Sequence, residues 1–483
     1  MATRPFSLAV IGAGASGLAA AIKARKAGLE VTIFEKAPEL GGTWYYNRYP
    51  GLACDVPSYA YSFSFALNPD WTTTFASGRE IHAYLKRVAA ENGIDTLIRT
   101  STEITEARLI DGRWHLRSGN GDEGQFDGVV AAVGILHKPV YPDIAGLESF
   151  AGQALHTTEW NDDIPLDGKK VGIIGTGSTA TQFVAAVIDR VEQLTVFQRT
   201  AQWIFPQGNE PVSEEQRAVL RENPDELRSQ YDFLNFQGNN KFAAAIIGKR
   251  KHTYDKLARM CLDHLENGVT DPELRAKLTP DYPVGCKRLV MNTEFYGAIQ
   301  QPNAELVTEG IERVEPAGVR TTDGRLHELD LLILATGFDP FYFMGSTKVV
   351  GTTGVELSEA WADANEGYLG VTVPGFPNWF MIGGPNSPIG NFSWLLTAET
   401  QFDFILKLID MIRHGKAQLV APSSKATADF NLELREAMGD TVWTSGCRSW
   451  YIDKNGNVAS WPWTYERFVE LMSEPDLDHF EFA

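Results

Sequence analysis

Apolar positions in this chain of 483 residues gather into short runs separated by glycine. Leu8 to Ile11 is an apolar run of strand length, a helical pattern follows and ends near Gly28, and Val31 to Phe34 is a second strand. The same order recurs with strands at Val171 to Ile174 and Leu194 to Phe197. Each unit also has a late apolar strand led by an aspartate, Asp127 to Gly134 and Asp330 to Gly337, and each of these spans seven positions. Strands alternating with helices predict two nested, doubly wound α/β units.

Between the second unit's strand and Lys287 lies a charged segment, Ser213 to Leu278, that reads as helices with a solvated face. Ser213 with Gln216 has the spacing of a capping box. Tyr231, Phe233, Leu234, Phe236, Ile246 and Ile247 read as its packing positions. From Phe338 the chain returns through a strand at Trp379 to Ile382, a Gly383-Gly-Pro385 turn and an amphipathic helix from about Phe392 to Arg413, which should rejoin the first unit. The expected fold is α/β, with two Rossmann-like dinucleotide-binding domains, 1–140 with 338–483 and 141–205 with 285–337, and a helical insertion at 206–284.

The first strand runs into Gly12-Ala-Gly14-Ala-Ser-Gly17, placed between strand and helix as a dinucleotide fingerprint requires. Its glycines allow a tight turn and close approach to a pyrophosphate, whose charge the helix N-terminus stabilises. Glu35 ends the second strand where a carboxylate binds ribose hydroxyls. The second fingerprint is Gly175-Thr-Gly177-Ser-Thr-Ala180, in which Ala180 replaces the third glycine. Twenty-three positions separate Gly12 from Glu35 and also Gly175 from Gln198, so the acid is replaced by Gln198, with Arg199 next. A guanidinium there pairs with a 2′-phosphate that a carboxylate would repel, which predicts NADP at the second site. An acid-bearing site followed by an inserted NADP-type site suits an FAD enzyme reduced by NADPH.

The net charge of -19 argues against nucleic acid or anionic membrane as a partner, since a phosphate-binding face needs a basic excess. No signal-peptide pattern begins the sequence, and no apolar run reaches the 18 or so residues needed to span a bilayer, so a cytoplasmic location is expected. Cys54, Cys261, Cys286 and Cys447 form no close pair and read as reduced, buried thiols. That scatter also excludes a flavin disulfide reductase, which needs a closely spaced redox pair. Histidine spacing gives no metal site.

Several segments resemble the class B flavoprotein monooxygenases, and in particular the Baeyer-Villiger monooxygenases. They are Gly41-Gly-Thr-Trp-Tyr-Tyr-Asn-Arg-Tyr-Pro-Gly51, continued by Leu52-Ala-Cys-Asp55, then Val196-Phe-Gln-Arg-Thr200, Gly285-Cys-Lys-Arg288, Ala335-Thr-Gly-Phe-Asp339 and Ser449-Trp-Tyr451. Midway between the two fingerprints, Phe150, Gly152, His156 and Trp160 match the family's F-x-G-x-x-x-H-x-x-x-W signature, although Asn161 stands where Pro or Asp normally follows. The resemblance covers nearly the whole chain. It implies that NADPH reduces FAD and that oxygen adds as a C4a-peroxyflavin, which attacks a ketone to give an ester or lactone, with sulfoxidation alongside.

On that resemblance Arg288 is the charge that keeps the oxidant anionic, and Asp55 orients it. The implied cofactor-binding residues are Gly12, Gly14, Ser16, Gly17, Glu35, Lys36, Gly42, Thr43, Trp44, Tyr49, Asp55, Gly175, Gly177, Ser178, Thr179, Arg199, Thr200, Lys287, Thr336, Gly337 and Trp450. Phe150, Gly152, His156 and Trp160 read as a domain linker, with His156 setting the relative orientation of the two units rather than acting as a base. The expected partners are a small ketone and O2, in a monomer or small homo-oligomer. Two other functions fit the same motifs: an N- or S-oxygenating class B monooxygenase, and a non-catalytic flavin redox sensor.

Overall fold

Two five-stranded parallel sheets organise the computed structural model, which describes residues 5–344, 346–388, 390, 392–447, 449, 451–453 and 455–483. The first sheet has the order Trp379–Met381, Gly128–Ala131, Ser7–Ile11, Glu30–Phe34, Ile98–Arg99. The second has the order Gln153–His156, Leu331–Leu334, Lys170–Ile174, Gln193–Phe197, Ala304–Val307. The last four positions of the two orders correspond one to one, so the duplication seen in the sequence is a duplication of topology. The added outer strand differs in origin: the first sheet takes it from the returning C-terminal part, the second from the Phe150 to Trp160 stretch.

The leading aspartates have a local task. Asp127 Oδ2 accepts the Ser7 backbone N–H at 2.8 Å, and Asp330 Oδ2 accepts the Lys170 backbone N–H at 2.9 Å. In each unit the carboxylate accepts the first amide of the opening strand from the start of its parallel neighbour.

Helix α1 (Ala15–Lys26) follows the first fingerprint and helix α2 (Ser178–Val187) the second. Alanines of α1, with Leu18 and Ile22, are buried against its sheet and against the returning helix α3 (Trp394–Arg413), which rejoins the first unit as its pattern predicts. On the far face of the first sheet an antiparallel meander, Ile104–Ile110, Arg113–Ser118 and Gly121–Phe126, packs Trp114 against Trp379 at 4.9 Å. Neither this meander nor the smaller one at Ile311–Glu315, Gly318–Thr321 and Leu326–Glu328 is visible in the apolar runs. The signal for the first was the Asp111-Gly112 pair, left-handed at both residues as a tight hairpin turn requires.

The insertion folds as helices Glu214–Glu222, Pro224–Phe236, Ala243–Ile246, Lys251–Gly268 and Pro272–Leu278. Ser213 and Gln216 exchange both capping-box hydrogen bonds. Tyr231, Ile246 and Ile247 are buried, but Phe233 and Phe236 are 59% and 48% exposed and do not pack as expected. A helix buries one stripe, here Leu227, Tyr231 and Leu234, which leaves Phe233 and Phe236 outside it.

Glycines at the two fingerprints differ in what surrounds them. A Cβ on Gly17 would lie 1.9 Å from the Gly12 carbonyl oxygen, whereas one on Gly177 meets nothing within 4 Å among the described residues. Gly17→Ala should therefore lose about 3 kcal/mol or more of unfolding free energy, read from urea denaturation. Gly177→Ala should leave the urea midpoint unchanged and weaken nucleotide binding, because the space it fills lies open at a helix N-terminus.

Candidate functional site

At the first fingerprint Gly12 has φ +106°, and a Cβ there would come 2.6 Å from the Ala132 carbonyl oxygen. Gly42, with φ +55°, brings the Gly41 to Thr43 turn against Gly14: a Cβ on Gly42 would be 3.0 Å from the Gly14 Cα. Thr43 and Trp44 open the short helix that follows, and Trp44 Nε1 donates to the Tyr61 hydroxyl at 3.0 Å. Ser16 Oγ accepts from Trp394 Nε1 at 3.0 Å, which ties the fingerprint to α3.

Glu35 accepts the Ala13 N–H at 2.7 Å and the Ala37 N–H at 2.8 Å. Burial raises its pKa above the ordinary carboxylate value, while those two N–H groups and Lys36 pull it down. A hydroxyl donor from a bound ribose would add to the stabilisation of the carboxylate, so the residues present fit such a group. Lys36 is exposed and lies over the Tyr46 ring.

In the second unit Gly175 has φ +124° and packs on the Ala335 carbonyl. Arg199, Thr200 and Lys287 line one cavity of about 610 Å³ together with Lys277, Tyr282 and Ser445 to Cys447. Lys287 Nζ lies 4.7 Å over the Tyr282 ring, and burial followed by the charge of Arg199 lowers its pKa. Gln198, in the position of the missing acid, is buried and donates to the Lys277 carbonyl at 2.7 Å. It anchors the insertion to the pocket rather than facing a ribose.

Arg288 and Asp55 come from different units and meet. Arg288 Nη2 and Nε donate to the same oxygen, Asp55 Oδ2, at 2.6 and 3.2 Å. The charge of Asp55 raises the Arg288 pKa further. Asp55 is carried there because the segment before it docks on α2. The Tyr49 hydroxyl, beside Thr179, donates to Gln182 Oε1 at 2.9 Å, and Gln182 Nε2 donates to the Ala53 carbonyl at 3.0 Å. A Cβ on Gly51 would lie 2.5 Å from the Gln182 carbonyl oxygen. Tyr49 thus reaches across to the second unit, and Gln182, which no motif had flagged, is the residue both contacts share.

Two further groups were not foreseen. Tyr451 is buried, and a Cβ placed on Gly390 would meet both its hydroxyl, at 2.5 Å, and Arg288 Nη1, at 3.3 Å. Burial pushes the Tyr451 pKa up to about 12, with Arg288 opposing the shift. Cys286 and Cys447 are joined by a disulfide, so the expectation of four reduced thiols is corrected. They lie 161 positions apart and are brought within a Cα separation of 6.3 Å only by the return of the C-terminal part. Spacing along the sequence could not show that. Trp450 lies outside the described residues; its neighbours in sequence Trp443 and Trp461 are core.

The Phe150 to Trp160 stretch is a packed element with contacts to both chain crossings between the units. A Cβ on Gly152 would come 2.4 Å from the Asp330 carbonyl oxygen and 2.7 Å from the Phe150 ring, so only glycine fits beneath that ring. Trp160 is buried edge-on to Phe183 of α2 at 5.5 Å. His156 is buried between Tyr141 of the outgoing crossing and Phe338 of the returning one, at ring separations of 5.6 and 5.7 Å. Its Nε2 is hydrogen-bonded to the Gly337 carbonyl at 3.2 Å. Val140 N–H donates to that same carbonyl at 3.0 Å, and the Thr336 hydroxyl donates to the Val140 carbonyl. Thr336 and Gly337 therefore fasten the two crossings to each other.

Residues 6–261 match the pyridine nucleotide-disulphide oxidoreductase family. An uncharacterized monooxygenase of Mycobacterium tuberculosis is 43% identical over 451 residues, 93% of this chain and 90% of that protein. A Baeyer-Villiger monooxygenase of Streptomyces coelicolor is 35% identical over 480 residues, 98% of this chain and 92% of that one. Among solved structures, cyclohexanone monooxygenase from Rhodococcus sp. Phi1 bound to NADP+ superposes with a TM-score of 0.87 at 30% identity, covering 99% of this chain and 100% of that one.

Burial lowers the pKa of His156 below its ordinary 6.5. Between those two values the unfolded chain binds a proton that the folded one refuses, so this contribution is intact above pH 6.5 and is lost as pH falls through the window. Urea midpoints at pH 7.5 and 5.5 should accordingly drop less for His156→Gln than for the unaltered protein. Equal drops would mean that His156 is not held neutral by the fold.

Proposed function

The chain belongs to the Baeyer-Villiger monooxygenases and, over residues 6–261, to the pyridine nucleotide-disulphide oxidoreductase family, and on that premise we propose how its own residues convert a ketone to an ester or lactone. It is an NADPH- and O2-dependent flavin enzyme. FAD and NADPH, when bound, supply respectively the site of oxygen activation and the hydride. FAD is assigned to 1–140 with 338–483, NADPH to 141–205 with 285–337, and 206–284 is the insertion between them.

The first fingerprint, Gly12 to Gly17, presents backbone N–H groups at the start of α1 to the FAD pyrophosphate. Glu35 takes the ribose hydroxyls of that nucleotide. Gly42, Thr43 and Trp44 form the wall opposite Gly14, with Ser16 behind it. In the second unit Gly177, Ser178 and Thr179 receive the NADPH pyrophosphate at the start of α2, and the open space at Gly177 is a cradle that a Cβ would fill. Arg199 and Lys287 hold the 2′-phosphate, with Thr200 beside them.

The observation that carries the proposal is the Arg288–Asp55 pair, contributed by one unit each and joined at 2.6 Å. Arg288 cannot lose its charge near neutral pH, and Asp55 makes that loss harder still. Two of its donors are spent on a single Asp55 oxygen, and Nη1 is turned toward Gly390. With FAD bound, a fixed cation there would stabilise negative charge on oxygen beside it, including the charge that develops on the ketone oxygen. At about 4 Å and an effective dielectric near 20 this is worth ~4 kcal/mol, roughly a thousandfold in rate. Asp55 acts through Arg288 by fixing the plane of the guanidinium. His156 holds the two crossings at one angle and performs no proton transfer.

NADPH-dependent oxygen uptake should rise on adding a ketone, with an ester or lactone recovered, and a thioether should give sulfoxide as a side reaction. Sulfoxide alone, with no ester from cyclic, aromatic or linear ketones, would place the enzyme with the N- and S-oxygenases. For Arg199→Ala we expect kcat/KM with NADPH to fall by more than about tenfold, the weight of a lost charged hydrogen bond, while NADH is nearly unaffected. Equal losses for both nucleotides would remove Arg199 from the phosphate site.

A further inference from the structure

The disulfide between Cys286 and Cys447 has no part in the chemistry above, yet it joins two pieces of the site. Cys286 is fully buried and immediately precedes Lys287 and Arg288. Cys447 is only partly buried and lines, with Ser445 and Gly446, the same cavity as Arg199, Thr200 and Lys287. The chain that leaves Cys447 goes on to Tyr451, whose hydroxyl shares the Gly390 side of Arg288. Ser445 Oγ–H also points at Cys286 Sγ, at 3.1 Å.

We propose that Cys286–Cys447 is a reversible thiol–disulfide site that sets how tightly the nucleotide cavity holds its ligand. Closed, the bond fixes the Ser445 to Cys447 wall against the segment that carries Lys287. Open, that wall is held only by non-covalent contacts, and the cations lose a fixed opposite side. The ligand chemistry, a nucleotide with a 2′-phosphate, rests on the function proposed above.

Both directions of the exchange balance with defined partners. Closure consumes two thiols and one hydrogen peroxide and yields the disulfide and two waters; the S–S bond forms, the O–O bond breaks, and each sulfur gives up one electron. Peroxide is what an NADPH- and O2-consuming flavin enzyme releases whenever oxygen reduction outruns ketone oxygenation. Opening consumes an external dithiol. Its thiolate attacks the sulfur of Cys447 from the cavity side, Cys286 leaves as a thiolate, and the second thiol resolves the mixed disulfide, so that the dithiol is oxidised and its two protons pass to the cysteines. The leaving thiolate is received by the Ser445 hydroxyl, a donor that stabilises sulfur as it takes up negative charge. Cys54 and Cys261 serve as internal controls, since both are buried and burial pushes both thiols up.

The test uses the full-length holoenzyme, treated with hydrogen peroxide or with dithiothreitol, alkylated while folded, and mapped by peptide mass spectrometry. The linked Cys286–Cys447 peptide should appear after peroxide and disappear after dithiothreitol, with Cys54 and Cys261 unmodified in both. NADP+ titrated into the two forms should bind about fivefold more weakly to the reduced one, the weight of roughly one hydrogen bond, and peroxide should restore the tighter binding. Cys447→Ser should bind as the reduced form does and respond to neither reagent. Absence of the linked peptide after peroxide, or the same NADP+ affinity in both forms of the unaltered protein, would overturn the proposal. Neither readout involves a ketone, so a failure here is separate from a failure to form ester.

Discussion

An ion pair between the units built on the two parallel sheets is the contact on which the proposed site depends. Arg288 and Asp55 are partly exposed, 35% and 22% by side chain, and a pair so placed contributes at most about 1 kcal/mol to folding. The same guanidinium about 4 Å from an anion, at an effective dielectric near 20, has an attraction of ~4 kcal/mol. The larger number is the reason the pair is proposed to serve the chemistry, with Asp55 fixing the direction of the charge. The protein then has to bring a loop of one sheet to a loop of the other within hydrogen-bond length. The Tyr49, Gly51 and Ala53 contacts to Gln182 on α2 do that.

Duplication makes this arrangement easy to build. Two sheets with the same inner strand order place two helix N-termini in equivalent positions, and the two crossings between them are stitched together by Thr336, Gly337 and His156. The stretch that carries His156 is an edge strand of the second sheet and, at its end, a buried clasp on both crossings. Its rigidity follows from parallel pairing with Leu331–Leu334 and from Trp160 against Phe183. Reorientation of one unit against the other would have to turn about the crossings.

Much of the fold was legible because buried parallel strands are apolar on both faces and stand out as runs, and because fingerprint glycines fall at fixed offsets. The antiparallel meanders were not, since Gly121–Phe126 offers almost no apolar residue and gains its order from neighbouring strands. Phe233 and Phe236 misled because hydrophobicity was read without the helical stripe. At the site, Arg288 and Asp55 could be named from local motifs and their pairing was implied by the family resemblance, but 233 positions apart it could not be derived from spacing. Gln182, Tyr451 and the Cys286–Cys447 bond share that limit. Each acquires its role from a partner that only the folded chain supplies.

The central claim is that the charge of Arg288 is needed for oxygen transfer and not for nucleotide oxidation. The most direct measurement is the ratio of ester formed to NADPH consumed for Arg288→Ala beside the unaltered enzyme, with hydrogen peroxide quantified in the same reactions. The account predicts that the variant still oxidises NADPH while its ester yield per NADPH falls by more than about a hundredfold, as loss of ~4 kcal/mol allows, with peroxide making up the difference. An ester yield per NADPH equal to that of the unaltered enzyme would contradict it.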